Sequence, residues 1–311
     1  MSSEPAQSTA APPDPAPGMG DAARAYYELT KPGIAVFVAI TAGASYFVAA
    51  AARPDVLRLL ETLVGTGIAT GGALALNQYV EREVDGRMKR TRSRPIPSGR
   101  MAPRRALAFA CLLLALGVAF LGVSAGFLPA VLTAASAALY IGAYTPLKSR
   151  SYAATLVGAI PGAIPGLIGW SAATGGLEPG AWVLFGIYFL WQLPHVLALA
   201  WLLKEDYERV GFFLAPPTDP AGNRIGRHMV YHSVSLLLLS LVPTLVGLTG
   251  MIYLAGAAVL SLAMLASAVS AAREMSAKRA RRVFRASLLY QPLLLLLLLV
   301  DTVPGAAPPG G

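Results

Sequence analysis

Nine apolar stretches, near 33–52, 58–80, 104–122, 125–145, 154–173, 181–203, 229–248, 251–271 and 286–303, recur along this 311-residue chain. Runs of roughly 18 to 25 apolar residues can cross a bilayer as helices. Inside hydrocarbon no water satisfies a backbone N–H or C=O, so such a run is stable only if it pairs its own amides, as a helix does. The expectation is an all-α, polytopic membrane protein of nine transmembrane helices. Composition agrees, because 55% of residues are hydrophobic and only 13% charged, where soluble domains carry about 25% charge. The single cysteine, Cys111, sits inside an apolar run. It has no partner for an internal disulfide and reads as a buried structural thiol.

The connections set an orientation. Arg and Lys crowd the links after the second, fourth, sixth and eighth stretches, while the alternate links are short and nearly free of positive charge apart from Arg53 and Arg58. The positive-inside rule then puts the N-terminus and all four basic links in the cytoplasm and the C-terminus outside. The formal net charge of +9 is spread over these links, so it points to anionic lipid and not to nucleic acid. Residues 1–22, rich in Pro, Ala and Ser, read as a disordered tail, 23–304 as one membrane domain and 305–311 as a short C-terminal tail. No basic segment precedes an apolar one at the N-terminus, so the tail does not read as a signal peptide.

Polar residues in such a chain stand out. Asn77, Glu81 and Asp85 follow one another at steps of four at the end of the second stretch. Steps of four keep side chains on one helix face with about 40° of drift each. Hard oxygen donors of this kind suit Mg²⁺, which takes one or two carboxylates together with substrate phosphates. The basic run after them, with Arg82, Lys89 and Arg90, suits the phosphates themselves. The plainer reading is a helix end reaching the interface, with Gly86 as its stop. A second acidic group, Lys204-Glu-Asp206-Tyr207-Glu208, ends the sixth stretch on the same membrane face. Two carboxylate groups there could hold Mg²⁺ against one diphosphate, whose departure a metal eases.

Three further features belong to that face or point toward it. Lys148 and Arg150 follow the fourth stretch and can hold diphosphate oxygens as well as set topology. His195 lies within the sixth, one residue after Pro194, and an ionisable residue in a span is a functional candidate. The fifth stretch holds Gly158, Pro161, Gly162, Pro165, Gly166 and Gly169. Its prolines predict an irregular span that lines a cavity. No pair of histidines has the spacing of a transition-metal site, and there is no Walker loop or dinucleotide fingerprint.

The chain resembles the protohaem IX farnesyltransferase (haem O synthase) family of the UbiA superfamily of intramembrane prenyltransferases. Carrying the resemblance are Leu29-Thr-Lys-Pro32, the block 77–100 with Met88-Lys-Arg-Thr91 and Arg94-Pro-Ile-Pro-Ser-Gly-Arg100, and Tyr144-Thr-Pro-Leu-Lys148. Gly158-Ala-Ile-Pro-Gly-Ala-Ile-Pro165 with Gly169-Trp170, Trp191-Gln-Leu-Pro-His195, and Asp206-Tyr207 with Gly211 complete it. It implies a UbiA-type helical bundle that transfers farnesyl from farnesyl diphosphate to the 2-vinyl group of haem B, with addition of water, using Mg²⁺. It implies Asn77, Glu81 and Asp85 as one metal–diphosphate motif and Asp206 in a second, with Lys148 and Arg150 on phosphate and His195 near the porphyrin. Arg82, Lys89, Arg90, Lys204 and Tyr207 are further candidates for substrate contact. A bacterial plasma (inner) membrane location and a partner in haem A synthesis or terminal oxidase assembly follow from the same likeness. The sequence departs from the family pattern at Ala154, Gly166, Val210 and Phe212-Phe213. Two alternatives stay open: a UbiA-type enzyme with another aromatic acceptor, and a non-catalytic haem or lipid carrier or transporter.

Overall fold

A computed structural model describes residues 19–214 and 219–304. The expected tails at 1–18 and 305–311 lie outside the described residues. Helix α1 (Met19–Thr30) starts within the last four residues assigned to the N-terminal tail and ends at Lys31. Lys31 takes the left-handed conformation, φ 44°, and Pro32 at the next position opens α2 (Pro32–Ala49). Pro suits a first helical turn because the missing N–H has no partner there anyway. Asp55 caps α3 (Val56–Val80) by accepting from Arg58 N at 3.2 Å. After Glu81 comes the short α4 (Arg82–Arg87). Helix α5 (Pro103–Ser124) turns through Gly126, φ 117°, into α6 (Phe127–Ala138). A π-helical turn over Leu139–Tyr144 and a final turn, α7 (Thr145–Leu147), complete that span. Then follow α8 (Ala154–Thr174), α9 (Pro179–Leu202), α10 (Lys204–Val210), α11 (Asn223–Leu245), α12 (Met251–Arg273) and α13 (Ala277–Asp301).

Nine of these segments, among the described residues, are long and apolar enough to cross a membrane. The only strand-type pairing among the described residues is an isolated bridge between Thr249 and Thr302. The expected all-α architecture holds, with informative differences at the ends. Helices α11 and α13 begin six and nine residues before the apolar runs that announced them. Their basic first turns, such as Lys278 to Arg285, continue the helix beyond the apolar run.

Close approach of backbones organises the bundle. A Cβ on Gly117 would collide with the Ala69 backbone, and one on Gly169 with the Ala42 carbonyl. Small residues thus bring α5 onto α3 and α8 onto α2, as membrane helix packing favours. The larger core joins α2, α8, α9, α11, α12 and α13 around Trp170, Tyr188, Tyr253 and Tyr290. A smaller one joins α1, α3 and α5 with Ile96 and Met101 of the loop between α4 and α5. Outward-facing Val36, Leu112, Leu116, Val259, Leu289 and Leu296 are exposed, as a lipid-facing surface requires.

Two expectations are corrected. Cys111 is exposed, not buried. The buried face of α5 is Ala106, Ala110, Gly117 and Leu121, and in a membrane an apolar run is as much at home against lipid as in the core. Helix α8 runs unbroken through Pro161 and Pro165, and Gly158 and Gly162 beside them make room for the Tyr144 ring and the Gln192 amide. The irregular turn falls instead at Leu139–Tyr144, on the span facing α8.

Candidate active site

Asn77, Glu81 and Asp85 keep their four-residue register across the junction of α3 and α4. Glu81 N donates to Asn77 O at 2.9 Å and Asp85 N to Glu81 O at 2.8 Å. All three side chains are buried, Asp85 completely. Gly86 lies inside α4 and does not stop it; Met88 ends the helix in an extended conformation. Each polar side chain meets a partner from another element. The Asn77 amide donates to Thr145 Oγ1 at 3.1 Å and accepts from the Tyr140 hydroxyl at 3.3 Å. Lys148 Nζ donates to Glu81 Oε1 at 2.8 Å. Arg94 donates to Asp85 Oδ2 at 2.5 Å, and Thr91 Oγ1 to the Asp85 carbonyl at 2.8 Å. The other carboxylate oxygen, Asp85 Oδ1, is sealed from solvent with no hydrogen-bond partner.

Lys148 is itself buried, over the Tyr144 ring at 4.3 Å and near Phe212 at 5.8 Å. Phe213 N donates to its carbonyl at 2.7 Å, so both residues that depart from the family pattern meet this lysine, Phe212 through its ring and Phe213 through its backbone. Burial works against its ammonium, but the Tyr144 phenol and the Glu81 carboxylate outweigh it and hold Lys148 above its ordinary value. It remains charged.

A cavity of about 300 Å³ opens beside this ladder, lined by α2, α3, α5, α6, α8, α9 and the π turn. Its polar end has Lys31, Tyr140 and Tyr144; its depth has Ile34, Val38, Leu74, Leu114 and Ile168. Pro161, Gly162 and Pro165 line one wall, so the expectation that this span borders a cavity holds. Gly166 packs against the Tyr188 ring, 2.8 Å from where a Cβ would stand, so a larger residue there would press on the ring. Burial lowers Lys31 to about 8, aided by the nearby charge of Arg94 and opposed by Asp85 and Glu81. Lys31 therefore faces the same charged group as the ladder.

The structure gathers some expected residues and separates others. Asn77, Glu81 and Asp85 stand on successive turns with the cavity at their side, and Lys148 is brought onto Glu81. Helix α10, which carries Asp206 and Tyr207, packs against α4. Asp206 is paired with Arg209 at 3.1 Å. Among the described residues no three His, Cys, Asp or Glu side chains are close enough to form a metal cluster, because Glu81 and Asp206 each turn to a cation. The unpaired Asp85 Oδ1 is nonetheless the kind of atom that takes a cation, and the donors beside it are hard oxygens, so these residues fit Mg²⁺ shared with phosphate. Arg82 reaches back to Tyr79 O and to Glu83, at 2.9 and 3.2 Å. Lys89, Arg90 and Arg150 are exposed, and Lys204 lies over Trp201 at 4.7 Å. His195 does not line the cavity; its Nδ1 lies 2.8 Å from Ser287 Oγ of α13.

Lys31, Arg94, Tyr140, Thr145 and Gln192 are site residues that spacing did not single out. Lys31, Arg94, Thr145 and Gln192 lie within the blocks that carry the family resemblance, and Lys31 is also a cation immediately before the Pro that opens an apolar run.

The model of the UbiA prenyltransferase family matches residues 36–291. This chain belongs to that family. With nine apolar helices among the described residues, the protein is an integral membrane prenyltransferase. It is 44% identical over 287 residues to the protoheme IX farnesyltransferase of Solibacter usitatus, covering 89% of this chain and 98% of that protein. It is 41% identical over 276 residues to the one from Salinibacter ruber, covering 89% and 98%. Among solved structures, one of digeranylgeranylglyceryl phosphate synthase superposes with a TM-score of 0.76 at 18% identity, covering 92% of this chain and 99% of that one. A UbiA homologue from Archaeoglobus fulgidus, bound to GPP and Mg²⁺, superposes with a TM-score of 0.61 at 13% identity over 88% and 99%. These two share the fold.

Proposed function

We propose that this prenyltransferase transfers farnesyl from farnesyl diphosphate to the 2-vinyl group of haem B, giving haem O and diphosphate. The observation that carries the reading is the 44% identity to a protoheme IX farnesyltransferase over nearly that protein's full length, and the Trp191 to His195 and Asp206-Tyr207 blocks support it.

The residues divide the work. Lys31 presents positive charge at the polar end of the cavity, and Lys148 and Arg94, paired with Glu81 and Asp85, are the further cations that would bind diphosphate oxygens. Asp85 Oδ1, with Asn77, Glu81 and Asp206, would hold Mg²⁺, which would neutralise charge on the departing diphosphate. The apolar depth of the cavity takes the prenyl chain and keeps water from its C1. Cleavage of the C1–O bond sends the electron pair to diphosphate and leaves an allylic cation. The faces of Tyr140 and Tyr144 stabilise that charge. The vinyl π electrons form the new C–C bond, and the resulting cation beside the pyrrole is captured by water with loss of one proton. No activated serine or cysteine is required.

By the positive-inside rule the active-site end faces the cytoplasm of a bacterial inner membrane, with the C-terminus outside. A haem A synthase or an oxidase under assembly would consume the product. The test is turnover of haem B, farnesyl diphosphate and Mg²⁺ by membranes that contain the protein, with mass spectrometry of the extracted haem.

A further inference from the structure

His195 is held in a way that no role in packing requires. Its ring stacks between Trp191 at 5.7 Å and Phe284 at 4.8 Å, from α9 and α13. Phe37 of α2 lies 6.1 Å from Trp191, so the group marks the junction of three helices. Trp191 Nε1 donates to Ser287 O at 2.8 Å, which ties α9 to α13 one turn from the histidine. Ser287 Oγ donates to Phe284 O at 2.7 Å and lies 2.8 Å from His195 Nδ1.

A hydroxyl has one proton. The Phe284 carbonyl has none to give, so the shorter contact takes the serine proton and Oγ can only accept from the histidine. His195 is then protonated at Nδ1, and Nε2 carries the lone pair. That nitrogen makes no hydrogen bond among the described residues and is not one of the sealed, unpaired polar atoms of the interior. The neighbours of His195 on α9, Gln192 and Val196, both line the cavity.

We infer that Ser287 is a positioning residue, fixing the His195 tautomer so that Nε2 is presented as a ligand to the iron of the haem acceptor. The inference rests on the proposed haem-farnesylating function. A hydrogen bond at one ring nitrogen sets which nitrogen binds metal and how the ring is aimed. Outer partners of this kind are worth about 10–100-fold in metal affinity. The chemistry recognised is a metalloporphyrin open at one axial position, whereas a metal-free aromatic acceptor would gain nothing from Nε2.

The test uses the whole protein in lipid nanodiscs. Nitrogen-labelled histidine NMR without haem reports the tautomer, with His195 assigned by loss of its signal in His195→Phe. Optical titration with haem B then reports imidazole–iron ligation. The expected result is Nδ1 protonation and an imidazole-ligated haem spectrum in the wild type. Ser287→Ala should mix the tautomers and weaken haem affinity about 10–100-fold, raising KM for haem while leaving KM for farnesyl diphosphate unchanged. Ser287→Thr, which keeps the hydroxyl, should restore both. An Nε2-protonated His195 in the wild type, or a Ser287→Ala protein with wild-type haem spectrum and KM, overturns the inference. Protein that ligates haem as described yet forms no farnesylated haem contradicts the proposed reaction and supports the Ser287 assignment.

Discussion

Asp85 is the residue to which the proposed chemistry assigns most. One of its oxygens is paired with Arg94 and the other is buried without a partner. Asp85→Asn keeps the shape and removes the charge. It should lower transfer at least 10²-fold, the scale seen when one electrostatic contact in a catalytic site is removed, with unchanged protein content in the membrane. Near-wild-type turnover would take Asp85 out of the mechanism. The Glu81–Lys148 pair makes a different prediction, because both side chains are 9% exposed. Lys148→Met should destabilise the protein by about 3–5 kcal/mol, since it leaves a buried charge alone. Adding Glu81→Gln should recover the melting temperature in detergent but not activity. Lys31 gives a pH signature. Free, it is lowered to about 8, and anionic diphosphate favours its charged form. Below pH 8 the charge is already present. Above it, binding must supply the proton, so KM for farnesyl diphosphate should rise with pH up to tenfold per unit, and Lys31→Arg should flatten the rise. Lys31 was hard to recognise in the sequence because a lysine at an interface needs no explanation. Ser287 was invisible, because its meaning comes from a histidine 92 residues away.

The spans themselves were legible because hydrocarbon leaves a long apolar run one way to pair its amides. What each span does with its faces was less so. Cys111 looked buried by the rule for soluble proteins, yet lipid accepts that face of α5 as readily as a core does. Pro161 and Pro165 looked like breaks, yet α8 absorbs them, and the real irregularity at Leu139–Tyr144 carries no proline. It brings Tyr140 to Asn77 and Thr145 back onto the Tyr140 carbonyl at 2.8 Å, so the departure from α geometry serves the site. The glycine contacts were readable as small residues but not as specific pairs. Gly117→Val should force α5 off α3 and cost about 1–3 kcal/mol, as overpacking does, read as a lower melting temperature. The same change at Gly122, whose nearest neighbour is a side-chain methyl at 3.6 Å, should cost less.

Across the whole molecule, charge and polarity are sorted by end. The links after even-numbered spans hold the basic residues and the active-site ladder, and the odd-numbered links are nearly free of charge. An impermeant maleimide applied to intact cells should therefore label Arg53→Cys and spare Ser98→Cys, and native Cys111, facing lipid, should give little background. The reverse pattern would invert the proposed topology. The proposed reading gives the donor half of the reaction to the ladder and the cavity beside it, and the acceptor is the finer claim. The measurement that tests it most directly is mass spectrometry of haem extracted after incubating membranes with haem B, farnesyl diphosphate and Mg²⁺. The account predicts a haem heavier by one farnesyl group and one water, absent with Asp85→Asn. Unmodified haem B from membranes that hold intact protein, together with prenylation of a metal-free aromatic acid, would contradict it.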